Sequence, residues 1–364
     1  YNYFNLVRLY GPVPLKTKTA SDLSQAQLPL SSEEAIYEVI VTDLTQAEKL
    51  MENAPWTSTD GRVTKGAVKS MLAKVYLTMA GYPLQKGGEY YRMAYEKAHE
   101  VYESGQFRLF DTYAEMRDPA NANSGEFIWM IQREADRAGS PVHNDMLPYP
   151  EPSKAISQNG AYGGALAPAQ AFYESYPAGD LRTAEKGYYY TEHEAQDGSG
   201  VVELGAPFIY KYWDASAAET GKSGMNYALL RYADVMLMKA EALIWTKGEG
   251  DAEAKQLLNQ IRDRAGLPQN SQATKAQLMN ERRCELAFEF QPSRHIDVVR
   301  WGLAEEYYSK PLHSVVSKMV DGRIETEEVE VYPGRTFNPT YNKVFPIPQT
   351  AFNGTVNLTQ NKGY

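Results

Sequence analysis

The stretch LLRYADVMLMKAEALIW (Leu229–Trp245), TKGEG (246–250) and DAEAKQLLNQIRDRA (Asp251–Ala265) decides the fold. Both outer segments read as helices. The short connection between them holds Gly248 and Gly250, and glycine both ends a helix and frees the backbone to reverse. Two helices joined so briefly pack as an antiparallel hairpin.

The same unit recurs upstream. Ser31 and Glu34 have capping-box spacing, and Ile36, Val39, Ile40, Leu44, Ala47, Leu50 and Met51 follow at helical spacing. Thr64 caps a second helix with Val68, Met71, Leu72, Val75, Tyr76 and Met79 on one face, closed by Gly81 and Pro83. A third runs through Tyr91, Ala94, Tyr95, Ala98, Val101 and Tyr102 and stops at Gly105. Downstream, Thr274 to Phe290 and Arg294 to Leu303 read as two more. The first ten residues read as a helix ending at Gly11-Pro12-Val13-Pro14, which no helix could cross. A chain beginning inside a helix is expected to be a fragment that has lost its targeting information.

Helix pairs of about 34–40 residues match tetratricopeptide-like stacks, which form curved scaffolds with insertions on one face. Residues 107–225 break the pattern. Phe127–Ile131 is a short apolar strand, surrounded by turn-rich stretches such as 118–125 and 160–164 and by Pro148-Tyr149-Pro150, Tyr188-Tyr189-Tyr190 and Tyr210-Lys211-Tyr212-Trp213. Long irregular stretches in compact proteins are functional or disordered, and aromatic density argues against disorder. The expected fold is mainly α: one domain over 1–364, with a helical-hairpin scaffold at 1–106 and 226–309. The stretch 107–225 is a loop-rich, ligand-facing excursion with few short strands, and 310–364 is a closing segment.

Composition excludes several functions. A net charge of −9 is wrong for a nucleic-acid surface, because phosphate backbones select basic patches. No run of 18 apolar residues occurs. One cysteine, Cys284, excludes an internal disulfide and a multi-cysteine zinc site and reads as a buried thiol. The 27 Tyr against 11 Phe point to surfaces that meet polar ligands, since Tyr joins an apolar face to a wet hydroxyl, although many also pack between helices.

No motif points to catalysis, a metal or a cofactor. Glu281, Glu285 and Glu289 share one helix face, near Arg282, Arg294, His295, Asp297 and Arg300. A metal or acid–base cluster is one reading. A salt-bridged network pinning the last helices, with Trp301 as packing, is the reading favoured, because Arg suits partly buried carboxylates. Glu96-x-x-His99 has di-iron spacing but no second copy among the five histidines. Gly221-Lys222-Ser223 resembles a phosphate-loop end, yet Ser216 stands where that loop needs glycine.

Several segments resemble the SusD-like (RagB/SusD) family in order along the chain. They are Tyr3 to Leu15 at the first helix exit, Gly61 to Ala67, Leu229 to Val235, and Ile261 to Gly266. The series continues with Glu281-Arg282-Arg283 through Glu285-Leu286, then Arg294, Asp297 and Arg300-Trp301-Gly302. It ends with Phe345-Pro346-Ile347-Pro348 and Gln360 to Tyr364. The resemblance implies a non-catalytic, surface-exposed outer-membrane lipoprotein that binds glycans and partners a SusC-like TonB-dependent transporter. The family's lipoprotein cysteine and first repeat helices are missing from this sequence, and 138–224 aligns poorly.

Sugars offer an apolar C–H face to a flat ring and hydroxyls to polar side chains. In the excursion, Tyr149, Tyr162, Tyr189, Tyr190, Tyr212 and Trp213 are the expected platforms, and Asn144, Asp145, Asn159 and Asp214 the polar partners. Loop aromatics also plug loops onto scaffolds. The alternatives are a helical-repeat scaffold for protein partners without glycan binding, and a helical-toroid glycoside hydrolase with two facing carboxylates.

Overall fold

The computed structural model describes residues 1–19, 27–148, 152–158, 160, 164, 166–289, 293–353 and 357–364. The helix-rich expectation is borne out. The scaffold helices are α1 (Asn2–Tyr10), α2 (Glu33–Leu50), α3 (Lys65–Ala80) and α4 (Gly88–Glu103). Four short helices follow in the excursion: α5 (Val142–Asp145), α6 (Pro152–Ile156), α7 (Gln170–Glu174) and α8 (Ala215–Thr220). The scaffold then resumes with α9 (Tyr232–Lys247), α10 (Ala252–Arg264), α11 (Lys275–Glu285), α12 (Ser293–Arg300) and α13 (Ala304–Tyr308).

The core lies between α3 and α9, the two helices buried on nearly every side, as expected of helices apolar all round. The α9–α10 hairpin forms as the sequence implies, and α9 also packs on α3, α4 and α11, so early and late hairpins share one core. Thr64 caps α3 through Ala67 N at 3.2 Å, and Thr274 forms a capping box with Gln277 on α11. The cap of α2 differs: Ser32, not Ser31, accepts from Ala35 N. Ser31 instead pairs with Val13 in a two-residue ladder between β1 (Val13–Pro14) and β2 (Leu30–Ser31).

At the start of α3 the backbone runs very close to its neighbours. A Cβ on Gly66 would sit 2.6 Å from the Phe107 ring and 2.8 Å from the Trp56 carbonyl oxygen. The carbonyl cannot swing away as a side-chain end could. Gly66→Ala should therefore destabilise by about 1–3 kcal/mol, the usual cost of overpacking, read as a lower urea midpoint with an unchanged m-value.

Strand β3 (Phe127–Ile131) does not pair nearby. It pairs with β6 (Tyr227–Arg231), antiparallel, with Phe127 opposite Arg231 and Ile131 opposite Tyr227. The excursion thus leaves and returns through one ladder, and Tyr232 N donates to Glu126 O at 2.8 Å just below it. Among the described residues, two hairpins complete the sheet content, β4 (Tyr189–Glu194) with β5 (Val201–Ile209) and β7 (Leu312–Val320) with β8 (Arg323–Tyr332). They stack on one another, with Ser317 Oγ donating to Leu204 O at 3.2 Å. The C-terminal segment closes back on α1. Phe345 N donates to Leu9 O at 2.7 Å, and the Gln360 amide serves both backbone groups of Ile347.

Helix α11 stops at Glu285 instead of continuing to Phe290. The Glu285 carbonyl receives Tyr188 Oη and Arg231 Nη2, each at 3.0 Å, and Lys211 Nζ at 3.3 Å. Donors from the excursion and β6 replace the next helical N–H groups, which satisfies the end of the helix. Phe288 then takes a left-handed backbone, φ 63°.

Candidate functional site

The excursion is stapled to the scaffold by buried charge. Glu285 lies at the centre, fully buried, facing Arg264 Nη2 at 2.5 Å, Arg231 Nη1 at 3.1 Å and Arg182 Nη1 at 3.5 Å. Arg231 also holds Glu126 and Glu289, Arg182 holds Asp180 and Glu281 at 2.7 Å each, and Lys211 holds Glu289 at 2.9 Å. Arg262 adds Glu281 at 3.3 Å, so five cations face five carboxylates. A second cluster pins α9 to α11 and α12. There Asp234 takes Lys74 and Arg282, Asp297 takes Arg282 and Arg300, and Glu241 takes Arg300, three cations on three carboxylates. Trp301 Nε1 donates to Glu241 at 2.8 Å.

The expected network is therefore present, with two corrections: His295, whose Nδ1 lies 2.6 Å from Tyr308 Oη, stands outside it, and so does Arg294. Arg294 belongs to neither cluster. Its guanidinium lies 4.5 Å from the Tyr307 ring centre and 5.9 Å from that of Trp301, and Glu285 is not its partner. Cys284 is buried as expected, and burial pushes its thiol up to about 12. Glu96 pairs with Arg92 and His99 stacks on Tyr95, and Lys222 pairs with Asp136 on the surface. Among the described residues no group of three or more His, Cys, Asp or Glu is arranged to hold a metal ion.

The rings expected to be open platforms are largely interior, which corrects that expectation. Tyr189 and Tyr190 are each 1% exposed, because β4 runs between two small cores and its side chains alternate between them. Tyr189 packs edge-on against Tyr173, Tyr176 and Phe288, while Tyr190 packs with Tyr210 and Trp213. Trp213, 9% exposed, is stacked on Tyr210 and lies 4.2 Å from the His193 ring and 4.9 Å from the His143 ring. Tyr212 is half-buried and stacked on Tyr227. Asn144 and Asp145 are half-buried in α5, and Asp214 caps α8 through Ala217 N while accepting Ser223 Oγ at 2.6 Å. Tyr149, Asn159 and Tyr162 lie outside the described residues.

What opens instead is a cavity of about 390 Å³ where α7, from the excursion, meets the ends of α11, α12 and α13. Phe172, Leu286, Phe288 and Tyr307 give it apolar walls, and Arg283 and Arg294 give it cationic ones. Arg283 covers the Phe172 ring at 4.4 Å. Residues 290–292, between Glu289 and Ser293, lie outside the described residues. Of these lining residues, the sequence had singled out Arg294 for the ionic network and Arg283 and Leu286 only as part of a family motif, none of them as a ligand contact. One signal was available: Glu281 and Glu285 share a helix face that Arg283, between them, cannot share.

Two carboxylates also reach this cavity, Glu289 and Asp297. Burial alone would raise both. Arg231 and Lys211 for Glu289, and Arg282 and Arg300 for Asp297, overcome it and hold both below the ordinary carboxylate range. Neither is a proton donor near neutral pH.

The molecule is thus a helical-hairpin scaffold protein with a large insertion and an aromatic, cationic cavity at their seam. The model of the SusD family matches residues 179–364, and a second, "Starch-binding associating with outer membrane", matches residues 1–77. A solved SusD superfamily protein from Parabacteroides distasonis is 32% identical, covering 100% of this chain and 76% of that one with a TM-score of 0.84. A laminarin-binding SusD-like protein is 25% identical over 100% of this chain and 76% of its own, with a TM-score of 0.73. A SusD-like protein of Bacteroides ovatus is 27% identical over 320 residues, 82% of this chain and 56% of that protein. The chain belongs to the SusD family. It spans 56% to 65% of the length of the curated relatives it matches.

Proposed function

We propose that this protein captures an oligosaccharide without chemistry at the bacterial outer-membrane surface and passes it to a SusC-like TonB-dependent transporter. The observation that carries the reading is the seam cavity. It is large enough for sugar residues and offers aromatic walls for their C–H faces beside charged donors for their hydroxyls. Support for a carbohydrate comes from the laminarin-binding relative, and support for the location from the family description that names starch and the outer membrane. The lipid anchor and the transporter partner come from kinship with the family. In this reading the whole chain acts as one unit, with 107–225 as its ligand-facing part. Tyr149, Asn159 and Tyr162 keep the role assigned from sequence, as further contacts.

The carboxylates at the cavity support binding over hydrolysis. Glycoside hydrolysis needs one carboxyl protonated as general acid, opposite a second that is free to act. Glu289 and Asp297 are both ion-paired and held ionised.

The test is retention of purified protein on a panel of immobilised polysaccharides, with reducing ends measured after incubation. At least one glycan should retain the protein, with no new reducing ends. Retention on none of them defeats the binding reading, and release of reducing ends defeats the non-catalytic one.

A further inference from the structure

The charge around the seam cavity does not balance. Within both ionic clusters every cation has carboxylate partners, so the buried acids nearby, Glu281, Glu285, Glu289, Asp297, Asp234 and Glu241, are already committed. Arg283 and Arg294 are left over. Neither forms an ion pair among the described residues, and the contacts they do make are with aromatic rings, Phe172 and Tyr307. Both terminal nitrogens of Arg294 are buried without an acceptor in hydrogen-bonding geometry. Burial lowers the Arg294 pKa, Tyr307 partly offsets this, the positive charge of Arg283 lowers it again, and the Asp297 carboxylate, already paired with Arg282 and Arg300, raises it from a distance. The guanidinium stays charged at any physiological pH. Two such groups beside one cavity make a locally positive site in a chain whose net charge is −9.

A ring contact satisfies the face of a guanidinium but none of its in-plane N–H donors. Those donors form a planar fork that fits the two oxygens of a carboxylate or of a sulfate ester. We propose that the seam cavity selects an acidic oligosaccharide, with Arg283 and Arg294 taking its carboxylate or sulfate group while Phe172 and Tyr307 wall the sugar ring. This rests on the glycan-binding reading above and names the chemical class of its ligand.

The test uses the full chain on a glycan microarray carrying neutral β-glucans, uronate polymers with their methyl esters, and sulfated galactans. Retention should be confined to an acidic class, and which of the two classes retains it identifies the anion. For a uronate, esterification should abolish retention, because it removes the charge and keeps the sugar. Titration with the retained oligosaccharide should show Arg283→Gln and Arg294→Gln each weakening binding on the order of tenfold or more, as for loss of a charged hydrogen bond. Melting temperature is measured on the same samples. Arg283 is only half-buried, so Arg283→Gln should melt near the parent even if Arg294→Gln does not. Retention by neutral glycans alone, or undiminished acidic binding by Arg283→Gln, overturns this inference and leaves the proposed function standing. Retention on no glycan overturns both.

Discussion

Glu285→Ala should lower the free energy of unfolding by about 3–5 kcal/mol, because it strands buried arginines that now face a carboxylate. Arg182, Arg231 and Arg264 all converge on that side chain, and all three guanidinium-bearing side chains are shielded from water. Replacement by Gln should cost less, since an amide oxygen still accepts from Arg264 and Tyr188. Urea denaturation at pH 7 reads the difference directly. A loss under about 1 kcal/mol, the range of an exposed ion pair, would mean the cluster is wet and not structural.

The same carboxylate sets an acid limit on the fold. Burial alone would raise the Glu285 pKa, but Arg264, Arg231 and Arg182 overcome it and hold it down to about 2. A depressed folded-state pKa gives stability that is present above the unfolded value, near 4.3, and is lost as pH falls toward the folded one. The parent protein should therefore lose stability between about pH 4.3 and 2, and Glu285→Ala should show a shallower loss there. Parallel curves for the two proteins through that window would contradict the assignment.

Trp213→Ala should cost about 3–5 kcal/mol, as for other core aromatics. The ring closes a small core with Tyr190, Tyr210, Leu204 and Phe208, between the rings of His143 and His193. A melting temperature within a degree or two of the parent would place the ring on the surface after all. The protein that remains folded should bind glycan as before, because Trp213 is not among the residues lining the seam cavity. Loss of binding without loss of stability would return the site to Trp213.

Much of the scaffold was legible because it is local. A helix is written in apolar spacing, caps and glycines within a few residues, so α2, α3, α4, α9 and α10 fall close to where the pattern puts them. Thr64 and Thr274 cap as their positions require. Where the sequence reading went wrong, a distant partner intervened. Helix α11 ends early because Lys211, Arg231 and Tyr188 reach its last carbonyl from other parts of the chain.

The candidate site was less legible for the same reason. Tyr189 and Tyr190 read as loop aromatics open to a sugar. No local pattern announces that β4 is sandwiched, with Tyr173, Tyr176 and Phe288 on one side and Tyr210 and Trp213 on the other. Arg294 could be seen to lie near many charges, but which of them it lacks could not be seen.

By itself, then, the sequence determined the helical-hairpin architecture, the family and the presence of a buried ionic network around Glu285. The tertiary structure alone decided which rings are interior, where the excursion is stapled, and that Arg283 and Arg294 face a cavity whose carboxylates are already paired with other cations. Helical periodicity is a short-range property carried by neighbours in the chain. Burial and charge balance are sums over groups more than fifty residues apart, such as Arg231 with Glu126 and Glu285, and only the packed chain evaluates them.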